Sequence, residues 1–374
     1  MKILISPDSF KGTLSALEAA TAIEQGILQF DNNIKTVKLP IADGGEGTMD
    51  ALVLATNGHY VTTPVQDPLG RIIDARYGVL GNGTTCVIEM AEASGITLLH
   101  NTERNPRIAS TYGTGQLIEH ALQQGFSDFI ICIGGSATND GGIGMLRALG
   151  LRLLDEHGRD VQESIDGVLD VRTLDWTNWH AQLKTCNVRI ACDVNNPLVG
   201  QTGATAIFGP QKGVKSHEIA QFDAALTHWA NIVEEACGVR LHDYAGAGAA
   251  GGMGGALIAF LNGQFHQGIE LVLHVMNYEQ QLDGVQYIIT GEGQSDRQTL
   301  HGKAPMGILQ LATKHDMPVV LLSGNIEASA NEQLAEAFYV TASVVSEHVT
   351  AKQAMADAAH YLQQAAYELM TRIQ

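Results

Sequence analysis

Residues 1–40 read MKILISPDSFKGTLSALEAATAIEQGILQFDNNIKTVKLP and contain one complete strand–helix–strand unit. Residues 3–6 and 37–40 are short runs of apolar and β-branched side chains, which is typical of strands buried in a parallel sheet. Between them, Ser15 and Glu18 have the spacing of a capping box, which predicts a helix from there to about Phe30. The stretch therefore predicts a βαβ unit.

The same pattern recurs along the rest of the chain. Further strand-like runs are residues 129–133, 188–192, 287–290, 319–322 and 338–342. Helical patterns lie between many of them: Ser329 to Glu332 resembles a second capping box, Pro305 suits the start of a helix to residue 315, and an Ala-rich helix is predicted from Thr350 onwards. This repetition predicts a doubly wound, mostly parallel α/β domain of the Rossmann or flavodoxin-like kind.

Residues 60–97 follow a different pattern. Strand-like segments at 61–64, 71–77 and 85–88 are separated by the turn signals of residues 68–70 and 81–83, which indicates β-hairpins. We therefore expect a second, smaller α/β domain inserted into the first. The predicted boundaries give 1–59, 285–374 and part of 116–195 to the doubly wound domain, and 60–115 with part of 196–284 to the insertion. A chain of 374 residues suits two domains of about 100–200 residues each.

Composition excludes several classes of function. The net charge is −18 and no basic cluster is visible, which argues against nucleic acid and anionic membranes as partners. Five cysteines without a C-x-x-C pair, and no apolar leader in the first ten residues, indicate reduced thiols and a cytoplasmic location. The uncharged stretch 244–269 is interpreted as a buried helix behind a Gly-rich loop and not as a membrane span. An oligomer is possible, and the sequence leaves the oligomeric state open.

The loops after the predicted strands share a chemistry. Acids stand near glycines in four of them, around Asp8, Asp43, Asp140 and Glu292, and the fifth carries Asp193 with two asparagines. In open parallel sheets ligands bind at the C-terminal ends of the strands, where glycine backbone can approach phosphates and carboxylates can hold Mg²⁺. Turn formation alone also favours Gly, Asp and Asn and explains any single loop equally well. Five such loops together indicate a site for phosphoryl transfer.

Other enzyme classes fit less well. Gly302 and Lys303 are followed by Ala304, so the phosphate-binding P-loop pattern is absent. The segment from Gly246 to Gly251 fits the dinucleotide pattern G-x-G-x-x-G, but no convincing strand precedes it. An NAD(P)-dependent oxidoreductase and a non-catalytic sugar-acid binding protein therefore remain as less favoured alternatives.

Taken together, the motifs resemble the glycerate kinase type 1 family over almost the whole chain. The resemblance rests on residues 7–12, 42–48, 113–115, 133–142, 191–198, 208–213, 246–254, 290–293, Asp296 and 302–303. It implies ATP-dependent phosphorylation of glycerate with Mg²⁺ and two α/β domains with a cleft between them. By the same resemblance we expect D-glycerate to be phosphorylated at the 2-hydroxyl, with the 3-hydroxyl as the alternative. Gln294 stands where family members usually carry Arg, which puts one anion contact in doubt unless a neighbour such as Arg297 replaces it.

These arguments give each candidate residue an expected role. Asp193, which ends a predicted buried strand, is the first candidate for the base that accepts the hydroxyl proton, and Asp296 is the second. Lys11 is expected to hold the glycerate carboxylate, although it could also be a solvated lysine at a helix start. Expected substrate contacts are Asp8, Ser9, Lys11 and Lys303. Expected nucleotide contacts are Gly134, Gly135, Ser136, Thr138, Asn139, Asp140, Gly291 and Glu292, with Asn139 and Asp140 facing the nucleotide or its metal. Asp43 and Glu46 are either metal ligands or turn formers.

Overall fold

The computed structural model describes residues 1–373, without the side chain of His301. The strands are β1 (Lys2–Pro7), β2 (Lys35–Lys38), β3 (His59–Gln66), β4 (Ile72–Val79), β5 (Thr85–Glu89), β6 (Asp128–Cys132), β7 (Arg152–Leu154), β8 (Thr173–Asp175), β9 (Asn187–Ala191), β10 (Gln264–His266), β11 (Tyr287–Gly291), β12 (Gln294–Ser295), β13 (Val319–Ser323), β14 (Asn325–Ile326) and β15 (Val340–Ser343).

The α-helices connect these strands. They are α1 (Ala16–Phe30), α2 (Thr48–Thr56), α3 (Ala91–Ser94), α4 (Tyr112–Gln123), α5 (Ile143–Ala148), α6 (Ile165–Val168), α7 (Ala204–Phe208), α8 (Ile219–Cys237), α9 (Met253–Leu261), α10 (Gly268–Val275), α11 (Ala304–Thr313), α12 (Asn331–Ala337), α13 (Ala351–Ala356) and α14 (Ala358–Ile373). No helix within residues 1–373 is both long and apolar enough to cross a bilayer.

The first compact unit contains residues 1–43, 50–55 and the chain from 268 onwards. Its five strands are all parallel, in the order β15-β13-β11-β1-β2. From β1 the chain continues to β2 on one side, whereas β11, β13 and β15 follow on the other. The order of strands therefore reverses between β1 and β11, the position where doubly wound sheets bind ligands.

Helix α1 begins where the capping box predicts. Both of its bonds are present: the backbone N–H of Ser15 donates to Glu18 at 2.8 Å, and the N–H of Glu18 donates to the Ser15 hydroxyl at 3.3 Å. The helix packs against α14 at Gly26, where an added β-carbon would lie 2.2 Å from the carbonyl oxygen of Gln363. Only glycine allows this close approach of the two helices.

The second compact unit contains residues 44–49 and 56–267. Its main sheet has the order β10-β9-β6-β5-β4-β3, with β5, β6, β9 and β10 parallel and β3, β4 and β5 antiparallel. The predicted hairpins are the β3–β4 and β4–β5 pairs. The uncharged stretch 244–269 contains the buried helix α9, as expected.

The domain boundaries need correction at three points. Residues 44–49 and 56–59, predicted for the doubly wound domain, lie in the second unit. Residues 116–195 lie in the second unit because β6 pairs with β5, with Ile130 beside Val87, and β9 pairs with β6. Residues 268–284 lie in the first unit. The hairpin-containing unit is consequently the larger of the two and not the smaller.

Two helix predictions also differ from the structure. Helix α12 has Ala330 at its N-cap without a side-chain bond, so Ser329 lies one residue before the cap, where its hydroxyl donates to Glu327. The C-terminal helix begins with a capping box at Thr350 but breaks at Asp357, which separates α13 from α14.

Candidate active site

A cavity of about 400 Å³ lies at the C-terminal edge of the parallel sheet in the first unit. Loops after β1, β2, β11, β13 and β15 line it, together with α13 and the start of α14. Six predicted site residues are among its lining residues: Asp8, Ser9, Lys11, Asp43, Asp296 and Lys303, and Glu292 of the predicted nucleotide set joins them. The structure therefore brings the predicted substrate contacts into one place.

Four carboxylates, those of Asp8, Asp43, Glu292 and Asp296, give this cavity its negative charge. Asp8 is only 5% exposed, and its Oδ1 accepts a hydrogen bond from the N–H of Ser9 at 2.6 Å. Burial, and next the charge of Asp43, raises the pKa of Asp8 to about 7, and Glu292 adds to the effect. Burial also raises the pKa of Glu292, which accepts hydrogen bonds from Thr299 at 2.6 Å and from Ser295 at 3.2 Å.

Two lysines bring positive charge to the same cavity. Lys11 is exposed, and its charge opposes the rise in the pKa of Asp8. The Nζ of Lys303 lies 3.8 Å from Glu292 and 3.7 Å from Asp296. The cavity thus offers cations for an anionic ligand beside carboxylates that can face a metal or accept a proton.

Asp296 has a second, local task. Its Oδ1 accepts hydrogen bonds from the N–H groups of Gln298 at 2.7 Å and Thr299 at 3.3 Å, which fixes the turn after β12. Gln294, at the position of the expected arginine, donates to Glu327 at 2.7 Å. Arg297 does not replace that arginine in the cavity, because it is not among the lining residues and its Nε donates to the carbonyl of Ser329.

The acidic groups suit Mg²⁺ only if a ligand supplies further oxygens. Among the side chains that the structure describes, no group of three or more from His, Cys, Asp or Glu is arranged to hold a metal ion. Mg²⁺ is commonly bound through one or two carboxylates together with substrate phosphates. Asp8 and Asp43 fit this pattern, because a cation beside them would relieve the repulsion that raises the pKa of Asp8.

The glycine-rich loop after β6 is held together by buried side chains. The carboxylate of Asp140 accepts hydrogen bonds from the N–H and hydroxyl of Thr111 and from the N–H groups of Gly142 and Gly144, at 2.8–3.3 Å. Burial raises the pKa of Asp140. Asn139 is equally buried and donates to Thr205 at 2.9 Å. Asp140 therefore holds the backbone of its own loop and Asn139 bonds the Thr205 side chain, and contact of either residue with a nucleotide or metal stays a prediction.

The accessible part of this loop is small. Gly135 is exposed and Gly134 half-buried, whereas Ser136 and Thr138 are buried. Gly134 lies so close to the loop after β2 that an added β-carbon would be 2.8 Å from the Cα of Gly45. The two glycine-rich loops of the second unit are thus in contact.

Lys212 supports this loop and was not predicted. It is 2% exposed, and its Nζ donates to the Ser136 hydroxyl at 2.7 Å and to the carbonyl of Thr138 at 2.6 Å. Burial lowers the pKa of Lys212 to about 7. The only sequence signal was its place in the glycine-rich segment 208–213, because lysine is seldom buried.

Glu89 is a second buried residue that sequence reasoning missed. Its carboxylate accepts hydrogen bonds from the N–H groups of Gly47 at 2.9 Å and Met49 at 3.1 Å. It therefore holds the loop that carries Glu46, which is itself exposed in the second unit.

Asp193 is also exposed and follows β9, as its predicted position after a buried strand requires.

The dinucleotide-like segment serves packing. Between α8 and β10 the described chain has no strand, so the strand that a dinucleotide site needs before Gly246 is absent there. At Gly251 an added β-carbon would lie 2.1 Å from the carbonyl oxygen of Thr138, and its own carbonyl accepts from the N–H of Gly141 at 2.9 Å. These glycines allow close backbone contact with the loop after β6.

Comparisons with known proteins agree with the resemblance. The profile described as "Glycerate kinase family" matches residues 3–374. A Bacillus subtilis protein named glycerate kinase is 43% identical over 373 residues, which is 100% of this chain and 98% of that protein. An Escherichia coli protein named glycerate 2-kinase is 44% identical over 326 residues, 87% of this chain and 86% of that protein. A Salmonella typhimurium LT2 crystal structure, assigned as glycerate kinase 2, has a TM-score of 0.87 and 42% identity, covering 100% of this chain and 98% of that one.

Proposed function

The chain belongs to the glycerate kinase family and is a kinase whose phosphoryl donor is ATP, and we propose that it phosphorylates D-glycerate at the 2-hydroxyl to give 2-phosphoglycerate. The name of the Escherichia coli relative, glycerate 2-kinase, favours the 2-hydroxyl over the 3-hydroxyl. The observation that carries the proposal is the cavity of the first unit, where lysines and carboxylates meet at the ligand-binding edge of a doubly wound sheet.

Lys11 is proposed to bind the glycerate carboxylate. Glycerate is an anion and the chain has a net charge of −18, so a local cation is needed to attract it. Lys11 and the hydroxyl of Ser9 line the same cavity and offer a charge and a hydrogen bond. Lys303, held beside Glu292 and Asp296, is proposed to contact the phosphate that moves.

Asp8 and Asp43 are proposed to hold Mg²⁺ together with the phosphates of ATP. When bound, Mg²⁺ neutralises the charge that develops on the transferred group. Gly291 and Glu292 would lie on the nucleotide side of this arrangement. The half-buried Gly134 and the exposed Gly135 remain candidates for phosphate cradling through their backbone, and Glu46 remains a predicted metal ligand.

A carboxylate must accept the proton of the attacking hydroxyl. Asp193 remains a candidate for this base because it follows β9. Asp296, the second candidate, lines the same cavity as Lys11, which supports its assignment as the base. The side chain of Asp296 is fixed by two backbone N–H groups, which would hold one oxygen still and leave the other for the proton. Substitution of each by asparagine, described below, separates the two.

The test is to incubate the purified protein with D-glycerate and MgATP and to identify the product by phosphorus NMR. We expect a single 2-phosphoglycerate product. A 3-phosphoglycerate product would overturn the proposed position of transfer, and the absence of any phosphoglycerate would contradict the proposed function.

A further inference from the structure

The cavity of the first unit changes character along the edge of the sheet. The loops after β1, β2 and β11 contribute charged side chains, whereas the loop after β15 contributes Val344 and Val345. Helix α13 and the start of α14 extend the apolar wall with Ala354, Met355 and Leu362. Because β15 and β1 are three strand spacings apart, the apolar and charged ends are separated by about 14 Å.

Glycerate alone cannot account for this cavity. Its volume of about 400 Å³ leaves space for many water molecules besides glycerate, which has only seven non-hydrogen atoms. Every carbon of glycerate carries oxygen, so the molecule gains nothing from an apolar wall. The other substrate of a glycerate kinase, ATP, has a flat aromatic base joined to a charged tail and matches both ends.

We propose that the apolar end of the cavity, formed by Val344, Val345, Ala354, Met355 and Leu362, binds the adenine ring of ATP. This inference rests on the proposed function and adds the position of the base. The triphosphate then extends along the sheet edge past Gly293 towards Lys303 and Asp8, and glycerate occupies the end at Lys11.

Met355 provides an independent reason. It is 64% exposed although it is large and apolar, and it stands at the rim of the cavity. Its side chain therefore contributes little to the core. A ligand in the cavity would cover part of this exposed apolar side chain. A thioether packs well against aromatic rings, and its flexibility suits a site that is filled only when the ligand is bound.

The neighbouring side chains leave room for a ring. Ala351, Ala354 and Ala358 line the cavity, and the break at Asp357 ends α13 directly before Ala358. Asn325, which follows β13, is an uncharged polar side chain next in strand order to the apolar end. Its amide can both donate and accept, which is what the edge of adenine requires.

The decisive experiment compares Met355→Glu with Ala356→Glu. Both place a new carboxylate on the same exposed helix, but Ala356 is not among the cavity-lining residues, so it is the matched control. We expect Met355→Glu to raise the KM for ATP about tenfold and to move the KM for glycerate less than twofold, because a carboxylate at this wall disfavours the base. Met355→Leu should retain a KM for ATP close to that of the wild type.

Calorimetry with adenosine, which has no phosphates, tests the base alone and does not depend on turnover. We expect adenosine to bind the wild type and Ala356→Glu equally and Met355→Glu at least about tenfold more weakly, while inhibition by inorganic tripolyphosphate stays unchanged. We also expect adenosine to slow the oxidation of Met355 to its sulfoxide by peroxide.

The outcomes separate the inference from the proposed function. Equal adenosine affinity in Met355→Glu and the wild type would overturn the adenine site even if the enzyme makes 2-phosphoglycerate. Equal weakening in Ala356→Glu would also overturn it, because the effect would then be one of helix charge. Selective weakening in Met355→Glu would support the adenine site even if glycerate were not the acceptor.

Discussion

Two sheet edges of this protein carry loops rich in glycine and charged residues, but the charged side chains are arranged differently at the two edges. In the first unit, Asp8, Lys11 and Lys303 line a cavity and have few internal partners. In the second unit, Asp140 and Lys212 are buried and hydrogen-bonded to their own chain. Both sets stand among glycines after parallel strands. The comparison teaches that acids beside glycines mark a sheet edge. The two sets differ in how many hydrogen bonds the side chains make to their own chain and in whether they line a cavity, which makes the first set the candidates for ligand binding.

The largest expected effect is on stability in the second unit. Asp140→Asn would turn an amide N–H₂ towards backbone N–H groups of Thr111, Gly142 or Gly144 and leave them without acceptors. We expect the free energy of unfolding to fall by about 3 kcal/mol, measured by urea denaturation.

Asp170→Ala is the matched control, because Asp170 is an exposed acid of the same unit. Its free energy of unfolding should stay within about 0.5 kcal/mol of the wild type. A fully stable Asp140→Asn protein that fails to bind MgATP would contradict the structural role of Asp140.

The next effect is on turnover. Asp193→Asn and Asp296→Asn remove the two candidate bases, and the variant that lacks the true base should lose at least about 10²-fold in kcat with little change in ATP binding. Loss in Asp296→Asn alone would assign the base to the cavity of the first unit, and loss in Asp193→Asn alone would assign it to the second. Near-normal kcat in both variants would refute both assignments.

A smaller effect is expected for glycerate binding. Lys11→Met removes the proposed carboxylate contact and should raise the KM for glycerate about tenfold. Lys35→Met, which changes an exposed lysine of β2 outside the cavity, should leave that KM unchanged. An unchanged KM in Lys11→Met would mean that Lys11 is only a solvated lysine.

The smallest effect is a gain in stability. The pKa of Asp8 is raised from 3.8 to about 7 in the folded protein, so between these values the folded state binds more protons than the unfolded state, and stability falls as the pH rises. Above about pH 7 Asp8 is charged in the folded state as well, so the free energy of unfolding is lowered by the full cost of burying that charge. Asp8→Asn removes it and should raise the free energy of unfolding at pH 8 by about 1 kcal/mol.

The same comparison at pH 4 is the internal control, since Asp8 is protonated in the folded state there and the gain should shrink. A variant that is less stable than the wild type at pH 8 would show that the carboxylate of Asp8 holds the loop together. That result would place Asp8 with Asp140 and not with the ligand-binding side chains.

Local signals made much of the fold predictable. The capping box at Ser15 and the apolar run at residues 3–6 act within a few residues, and both are present in the structure. The membership of β6 and β9 could not be read from the sequence, because their partners are chosen by packing between distant segments. The failed cap at Ser329 has another cause, since the helix begins one residue later than the pattern predicts and its N-cap is Ala330.

The candidate site was predictable in place but not in detail. Parallel strands bring their C-terminal ends to one edge, so Asp8 and Glu292 could be expected near each other. The burial of Asp140 and Lys212 depends on how Thr111 and the segment after α7 pack around the loop after β6, which no local pattern records. Apolar side chains such as Met355 carry no chemical motif, so the apolar end of the cavity was not foreseen.

The most direct test is turnover per folded molecule in Asp8→Asn beside Asp140→Asn, with the folded fraction measured in the same samples. We predict that Asp8→Asn loses at least about 10²-fold in kcat although it is the more stable protein at pH 8, and that Asp140→Asn retains kcat within about threefold once its folded fraction is counted. The reverse result, an active Asp8→Asn and a folded but inactive Asp140→Asn, would contradict the assignment of the chemistry to the cavity of the first unit.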